Sequence, residues 1–185
     1  MCDLVDPAPT IDTRGRKDMS SFFANDWSFN PTARVLVALV PIVLVAILGS
    51  LVTAPNIPGW YAGLEKPIGT PPNWLFGPTW TTLYALMAFA FWRILGLPRH
   101  GYRKDAAIVS FVGQLALNLG WSIAFFGLQS PSAGLVVIVL LLGLIGACVL
   151  LFWGLNKSSA WCLVPFALWV GYATYLNAGV WALNG

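Results

Sequence analysis

Five apolar runs, at about residues 35–54, 74–92, 106–126, 133–153 and 160–183, hold most of this chain, and nearly all its charge lies outside them. A helix needs roughly 20 consecutive apolar residues to cross the hydrocarbon core of a bilayer. In lipid the backbone must satisfy its own hydrogen bonds, so only helices and closed barrels span. Barrel strands would be shorter and would alternate in polarity. The runs therefore specify an all-α integral membrane protein, a bundle of five transmembrane helices. Charge content agrees: 9% of the 185 residues are charged, against roughly 25% in a soluble domain. No internal repeat relates the runs, which argues against the inverted-repeat transporter folds.

Residues 1–33 read as a polar, mobile tail ahead of a single membrane domain at 34–185. Asp3, Asp6, Asp12, Asp18 and Asp26 lie there among Arg14, Arg16 and Lys17. The acids argue against a transit peptide, and the first apolar run is too long and too far in for an ordinary signal peptide. Trp27 and Phe29 are suited to touching the membrane surface just before the first span. With five spans, every basic residue except Lys66 falls on one side: Arg14, Arg16, Lys17 and Arg34, then Arg93, Arg99, Arg103 and Lys104, then Lys157. Basic loops stay in the cytoplasm, so the N-terminus is expected there and the C-terminus outside. The first span contains Pro41, which is expected to kink it unless it falls in the first turn.

No carboxylate lies at membrane depth, because the seven acids are Asp3 to Asp26, Glu65 and Asp105. Proton relays and cation sites ordinarily need one. The single histidine, His100, sits in the charged connection, so no span offers a histidine to a haem iron or a zinc ion. Cys2, Cys148 and Cys162 form no paired motif and read as small hydrophobes. No metal site is expected, and a net charge of +3 without a basic–aromatic patch makes nucleic acid an unsuitable partner.

What the spans carry instead is aromatic and amide. A loop with Pro55, Pro58, Pro67, Pro71 and Pro72 delivers Trp60, Tyr61 and Trp74 to the start of the second span, and proline makes such a loop stiff. Asn73 is a candidate N-cap, with Pro78 in the first turn. Trp80 and Tyr84 are one turn apart and share a face. In the third span Gln114, Asn118 and Ser122 follow each other at four-residue steps, with Trp121 beside Asn118. In the fifth, Phe166, Trp169, Ala173 and Asn177 form one stripe. Two explanations fit these residues. Trp60, Tyr61 and Trp74 suit an interfacial belt, and the amides suit hydrogen bonds between helices. Together they equally suit an apolar pocket with a few orienting amides, shaped for a flat, apolar ligand. Small-residue pairs (Ala116 and Gly120, Gly143 and Ala147, Ala167 and Gly171) permit close helix approach within a monomer or in a homodimer.

The motifs resemble the translocator protein / tryptophan-rich sensory protein family (TspO/MBR, the peripheral-type benzodiazepine receptor family) over about residues 35–184. The resemblance rests on Trp60–Pro67 (WYAGLEKP), Pro71–Trp74 (PPNW), Gly77–Tyr84 (GPTWTTLY), Gly113–Asn118 (GQLALN), Phe125–Gly127 (FFG), Pro165–Trp169 (PFALW) and Ala173–Asn177 (ATYLN). It implies a membrane receptor or carrier, commonly dimeric, that binds porphyrins such as protoporphyrin IX, haem and benzodiazepine-site ligands. A regulatory role in tetrapyrrole or stress metabolism, in a bacterial envelope whose inner or outer membrane is not distinguished, goes with it. Position by position, the implied ligand-binding set is Tyr61 in a lidding loop, Trp80, Tyr84, Asn118, Trp121, Phe166, Trp169 and Ala173. Lys66 and Asn73 are candidates for meeting porphyrin propionates, since a helix N-terminus favours anions.

The alternative activity is enzymatic. Some bacterial members resemble light- and oxygen-dependent porphyrin-degrading proteins, in which the tryptophans matching Trp80 and Trp169 would be catalytic. No obligatory cofactor is implied on either reading; a porphyrin would be ligand or substrate. Two departures from the family pattern stand out. The sterol motif of animal members needs Tyr and Arg where this chain has Ala178 and Ala182, so sterol binding there is not expected. Animal members also place a tryptophan near the start of the fourth span, where this chain has Ala133, which leaves the pocket larger or differently shaped.

Overall fold

The computed structural model describes residues 30–98 and 101–185. The tail to residue 29, including Cys2, Trp27 and Phe29, and His100 with Arg99 lie outside the described residues. Helix α1 is Pro31–Thr53, extended by a 3-10 turn at Ala54–Asn56. It starts a few residues earlier than the apolar run because Asn30 Oδ1 accepts from the Ala33 amide at 2.7 Å and Pro31 fills the first helical position. Pro41 lies well beyond the first turn, and the helix continues through it.

Helix α2 is Phe76–Leu95, α3 is Tyr102–Ser122, α4 is Pro131–Leu155 and α5 is Lys157–Asn184. The connection before α5, expected at 156–159, is one residue long. Asn156 breaks from helical geometry and caps the next helix at once, its Oδ1 accepting from the Ser159 amide at 3.0 Å. Asn73 does not cap α2. It opens a separate 3-10 turn, Asn73–Leu75, and the α-helix begins behind it with no side-chain cap.

Among the described residues, four helical segments (Pro31–Asn56, Tyr102–Gly127, Pro131–Leu155 and Lys157–Asn184) are long and apolar enough to cross a membrane. Helix α2 is not among them, because Gly77, Pro78, Thr79, Thr81 and Thr82 occupy its first half and Arg93 its end. It is nonetheless deep in the bundle, with Leu83, Met87, Ala90, Phe91 and Ile94 buried. Helix α1 packs on α2 and α3, α3 on α4, α4 on α5, and α5 returns to α2, so the order around the bundle is α1, α2, α5, α4, α3.

Packing is tightest at the end that holds the N-termini of α1, α3 and α5. Phe91 and Phe111 stack there at 4.2 Å and 10°, with Phe152 6.0 Å from Phe111. Basic side chains close this end. Lys104 Nζ donates to the Leu95 carbonyl at 3.2 Å and the Leu97 carbonyl at 2.6 Å, satisfying acceptors that the end of α2 would leave open. Arg34 lies over the Trp92 ring at 4.6 Å. Gly96 makes this possible, since a Cβ there would overlap the guanidinium. Of the small-residue pairs, Gly120 lets α3 approach Val137 of α4, whereas Gly143 and Gly171 face open space.

Candidate functional site

The opposite end of the bundle is not filled. A cavity of about 350 Å³ lies between α1, α2, α3 and α5 beneath the proline loop, within the size range of small-molecule sites. Helix α3 shapes its loop end by an irregularity. Residues Ile123–Gly127 form a π turn, closed by the Leu128 amide on the Ile123 carbonyl at 2.8 Å. The extra residue turns both Phe125 and Phe126 inward, and π turns of this kind recur at functional sites.

The loop between α1 and α2 seats itself on those two rings. Tyr61 is buried, 5.6 Å from Phe126 and 6.3 Å from Phe125, and Trp60 meets Phe125 edge-on at 5.4 Å. Burial pushes the Tyr61 phenol up, so it stays protonated. The rest of the loop is tied to α5. Asn184 accepts from the Glu65 amide and donates to the Glu65 carbonyl, both at 2.9 Å. Tyr175 donates to the Ile68 carbonyl at 3.0 Å and Tyr172 to the Gly69 carbonyl. Gly69 has φ +91°, a conformation that favours glycine. Pro67 rests on Gly179, where an added Cβ would come within 2.6 Å of two proline ring carbons.

Of the residues expected in the site, Tyr61, Trp80, Tyr84, Asn118, Trp121 and Ala173 line the cavity, and so does Asn73. Trp80 and Tyr84 sit ring to ring at 5.3 Å. Phe166 is fully buried one layer back, 6.2 Å from Trp80. Trp169 does not line the cavity: it packs against Phe76 and Tyr172, both at 5.9 Å. Lys66 is also absent from the wall. Its Nζ donates to the Leu64 carbonyl at 3.1 Å and lies 4.8 Å above the Tyr61 ring.

The polar groups are unequally satisfied. Tyr84 donates to Asn118 Oδ1 at 3.3 Å. Trp121 Nε1 donates to Asn177 Oδ1 at 3.1 Å, and Asn177 Nδ2 donates to the Pro131 carbonyl at 2.7 Å. That leaves Asn118 Nδ2 buried without a partner among the described residues, a donor on the cavity wall. One turn away, Gln114 is 1% exposed and neither of its amide atoms has a partner among the described residues. The two amides therefore differ in what they hold. Asn177→Leu strips partners from Trp121 and Pro131 and is expected to destabilise by about 1 kcal/mol, typical of a polar pair within a membrane bundle. Gln114→Leu removes two unpartnered groups and is expected to be neutral or stabilising. Melting temperatures of the two variants in detergent decide between these outcomes and a shared structural role.

Sequence patterns did not point to α1 as a wall, yet Ala46, Gly49, Ser50, Thr53 and Ala54 line one side. Their small size at three- and four-residue steps was the available signal. Helix α4 contributes no side chain to the lining. Ala133 is half-buried and outside the lining; it is the next residue, Gly134, that faces inward, where an added Cβ would come 2.8 Å from Asn177 Oδ1 and 2.9 Å from Phe125.

Comparison with known proteins supplies the family. The model of the TspO/MBR family matches residues 23–182. The chain belongs to the TspO/MBR family. Among TspO/MBR relatives, the tryptophan-rich protein TspO of Chlorobaculum tepidum is 43% identical over 140 residues, 76% of this chain and 89% of the relative. That of Archaeoglobus fulgidus is 38% identical over 152 residues, covering 82% and 97%. The translocator protein of Homo sapiens is 36% identical over 130 residues, covering 68% and 75%. Family and helices together make this an integral membrane protein.

Proposed function

We propose that this TspO/MBR chain is a membrane receptor or carrier for porphyrins such as protoporphyrin IX and haem, and that the cavity under the proline loop also admits benzodiazepine-site ligands. The observation that carries the proposal is the pairing of an aromatic wall, Trp80 on Tyr84, with one buried unpartnered donor, Asn118 Nδ2. A flat ring system stacks on the wall, and an acceptor on its edge satisfies the amide. Asn73 at the rim is the better placed of the two propionate candidates, because Lys66 is already engaged within its own loop. A role in tetrapyrrole or stress regulation follows from such binding. Receptor action is favoured over porphyrin degradation, since the two tryptophans that the enzymatic route requires do not share the cavity. Titration of purified protein with protoporphyrin IX in darkness, followed by illumination in air, tests this. Saturable binding in the dark with no protein-dependent decay in light is the expected result.

We further propose that α2 crosses the membrane with the other four helices and that the basic end is cytoplasmic. Arg34, Arg93, Arg103, Lys104 and Lys157 all sit at the ends of helices on that side, and loops rich in such residues are retained there. Cysteines introduced at residue 65 and residue 100 are expected to react from opposite faces of the membrane. Labelling of both from one face overturns the arrangement.

A further inference from the structure

The buried lining of the cavity and its exposed rim come from different elements. Its most enclosed lining residues, among them Tyr61, Asn118, Ser122, Phe126 and Asn177, belong to the loop, α3 with its π turn, and α5. Its exposed lining residues are Ser50 on α1 and Ala54 on its 3-10 extension, with Gly77 and Thr81 on α2 and Asn73 in the turn before it. The cavity therefore faces outward between α1 and α2. At a rise of about 1.5 Å per residue, Thr81 lies roughly 7 Å along α2 from Phe76, and Ser50 roughly 4–5 Å along α1 from Thr53. The opening lies on the flank of the bundle, the side that a bilayer would surround.

Two further observations concern which wall can yield. The loop end is closed by Tyr61 and Trp60 on the phenylalanine pair and is pinned to α5 at Glu65, Pro67, Ile68 and Gly69. The second half of α1 is its less buried half. The helix's only buried residues, Ala38 and Ile42, lie in the first half; in the second half Val45 and Val52 are half-buried against the core, and a Cβ added at Gly49 would lie 3.5 Å from Ser122 Oγ. A shallow groove on the outside of α1 shares Ala46, Ser50 and Ala54 with the cavity. Segments with few buried contacts are those that open locally at low cost.

We infer that the gap between α1 and α2, framed by Ser50, Gly77 and Thr81, is a lateral portal through which a planar apolar ligand passes edge-first from the bilayer, while the proline loop stays shut. The inference deepens the receptor function proposed above and rests on it for the identity of the ligand. A porphyrin entering this way keeps its ring in hydrocarbon and its carboxylates towards the loop end, where Asn73 stands at the rim.

Two arms test it in proteoliposomes. In the first, Ser50→Trp and Thr81→Trp narrow the gap, and Glu65→Cys/Asn184→Cys, bridged by a disulfide or a short thiol linker, locks the loop. Protoporphyrin IX association and dissociation, followed by tryptophan quenching, are expected to slow by about tenfold or more in the tryptophan variants, because a narrowed path obstructs both directions. Rates in the loop-locked protein are expected to stay within about twofold of wild type, since that route is not used. The reverse pattern overturns the portal. The second arm needs no porphyrin. Ser122→Cys, with Cys2, Cys148 and Cys162 replaced by alanine, is exposed to a lipid-soluble maleimide or to a sulfonated, membrane-impermeant one. Preferential labelling by the apolar reagent, slowed by Thr81→Trp and indifferent to the loop lock, supports the portal even if protoporphyrin IX proves not to bind. Labelling by the charged reagent that the loop lock abolishes sinks it.

Discussion

Trp80→Ala is expected to weaken protoporphyrin IX binding by about 5- to 150-fold, whereas Trp169→Ala is expected to change it by less than about threefold; these correspond to roughly 1–3 and under 0.7 kcal/mol. The difference follows from placement. Trp80 presents its ring to the cavity beside Tyr84, so alanine removes both buried area and a stacking face. Trp169, itself outside the lining, packs on Tyr172 and on Phe76, which does line the cavity and separates Trp169 from it. Trp80→Phe keeps a ring and is expected to lose only about 0.5–1.5 kcal/mol. The same variants examine the enzymatic alternative. Phenylalanine is much harder to oxidise than indole, so if porphyrin decays under light in the wild type and either Phe variant binds but no longer degrades it, the receptor assignment fails. Equal loss of dark affinity in the two alanine variants would show that both tryptophans meet the ligand.

The second large effect is expected from Gly179→Val. The new side chain must occupy space held by the Pro67 ring, which cannot rotate away, and both its clash partners are ring carbons at 2.6 Å. Either the loop lifts or α5 shifts, and the loop is the cheaper of the two. Lifting forfeits the bonds from Asn184 and Tyr175 to Glu65 and Ile68, each worth about 0.5–1.5 kcal/mol net. Hydrogen exchange at the Glu65 amide is then expected to accelerate by about 10- to 100-fold, given tenfold per 1.4 kcal/mol. Gly171→Ala is the matched control, since nothing lies within 4 Å of its Cβ position. Unchanged exchange in the Gly179 variant would mean that the loop is not held by α5. In the wild type, ligand is expected to slow exchange in the loop further, because Tyr61 lines the cavity.

Much of the site was legible because helical periodicity carries over directly into faces. Spacing alone put Trp80 with Tyr84 on one face and Trp121 beside Asn118, with a pocket and a helix joint both open, and all four line the cavity. The same periodicity misplaces residues at the edge of a stripe. At about 100° per residue, Trp169 lies roughly 80° around α5 from Asn177, and Gln114 the same angle around α3 from Ser122. Both were grouped with those neighbours. That rotation takes Trp169 onto Phe76 and Gln114 into the core, away from the cavity.

The sequence by itself determined the material and the number of parts: an all-helical membrane chain, its helix ends to within a few residues, its basic end, and the aromatic character of one face of α2. These depend on local quantities, namely the length of apolar runs and where charge is absent. Only the tertiary structure decided which faces meet. The small-residue side of α1 became a cavity wall, the π turn rotated Phe125 and Phe126 beneath the loop, and Asn73 reached the rim without capping a helix. The physical reason is that an apolar helix in lipid has no polar side to orient it. Its rotation and its neighbours are set by packing shape and by a few buried hydrogen bonds, which exist only once the helices have come together.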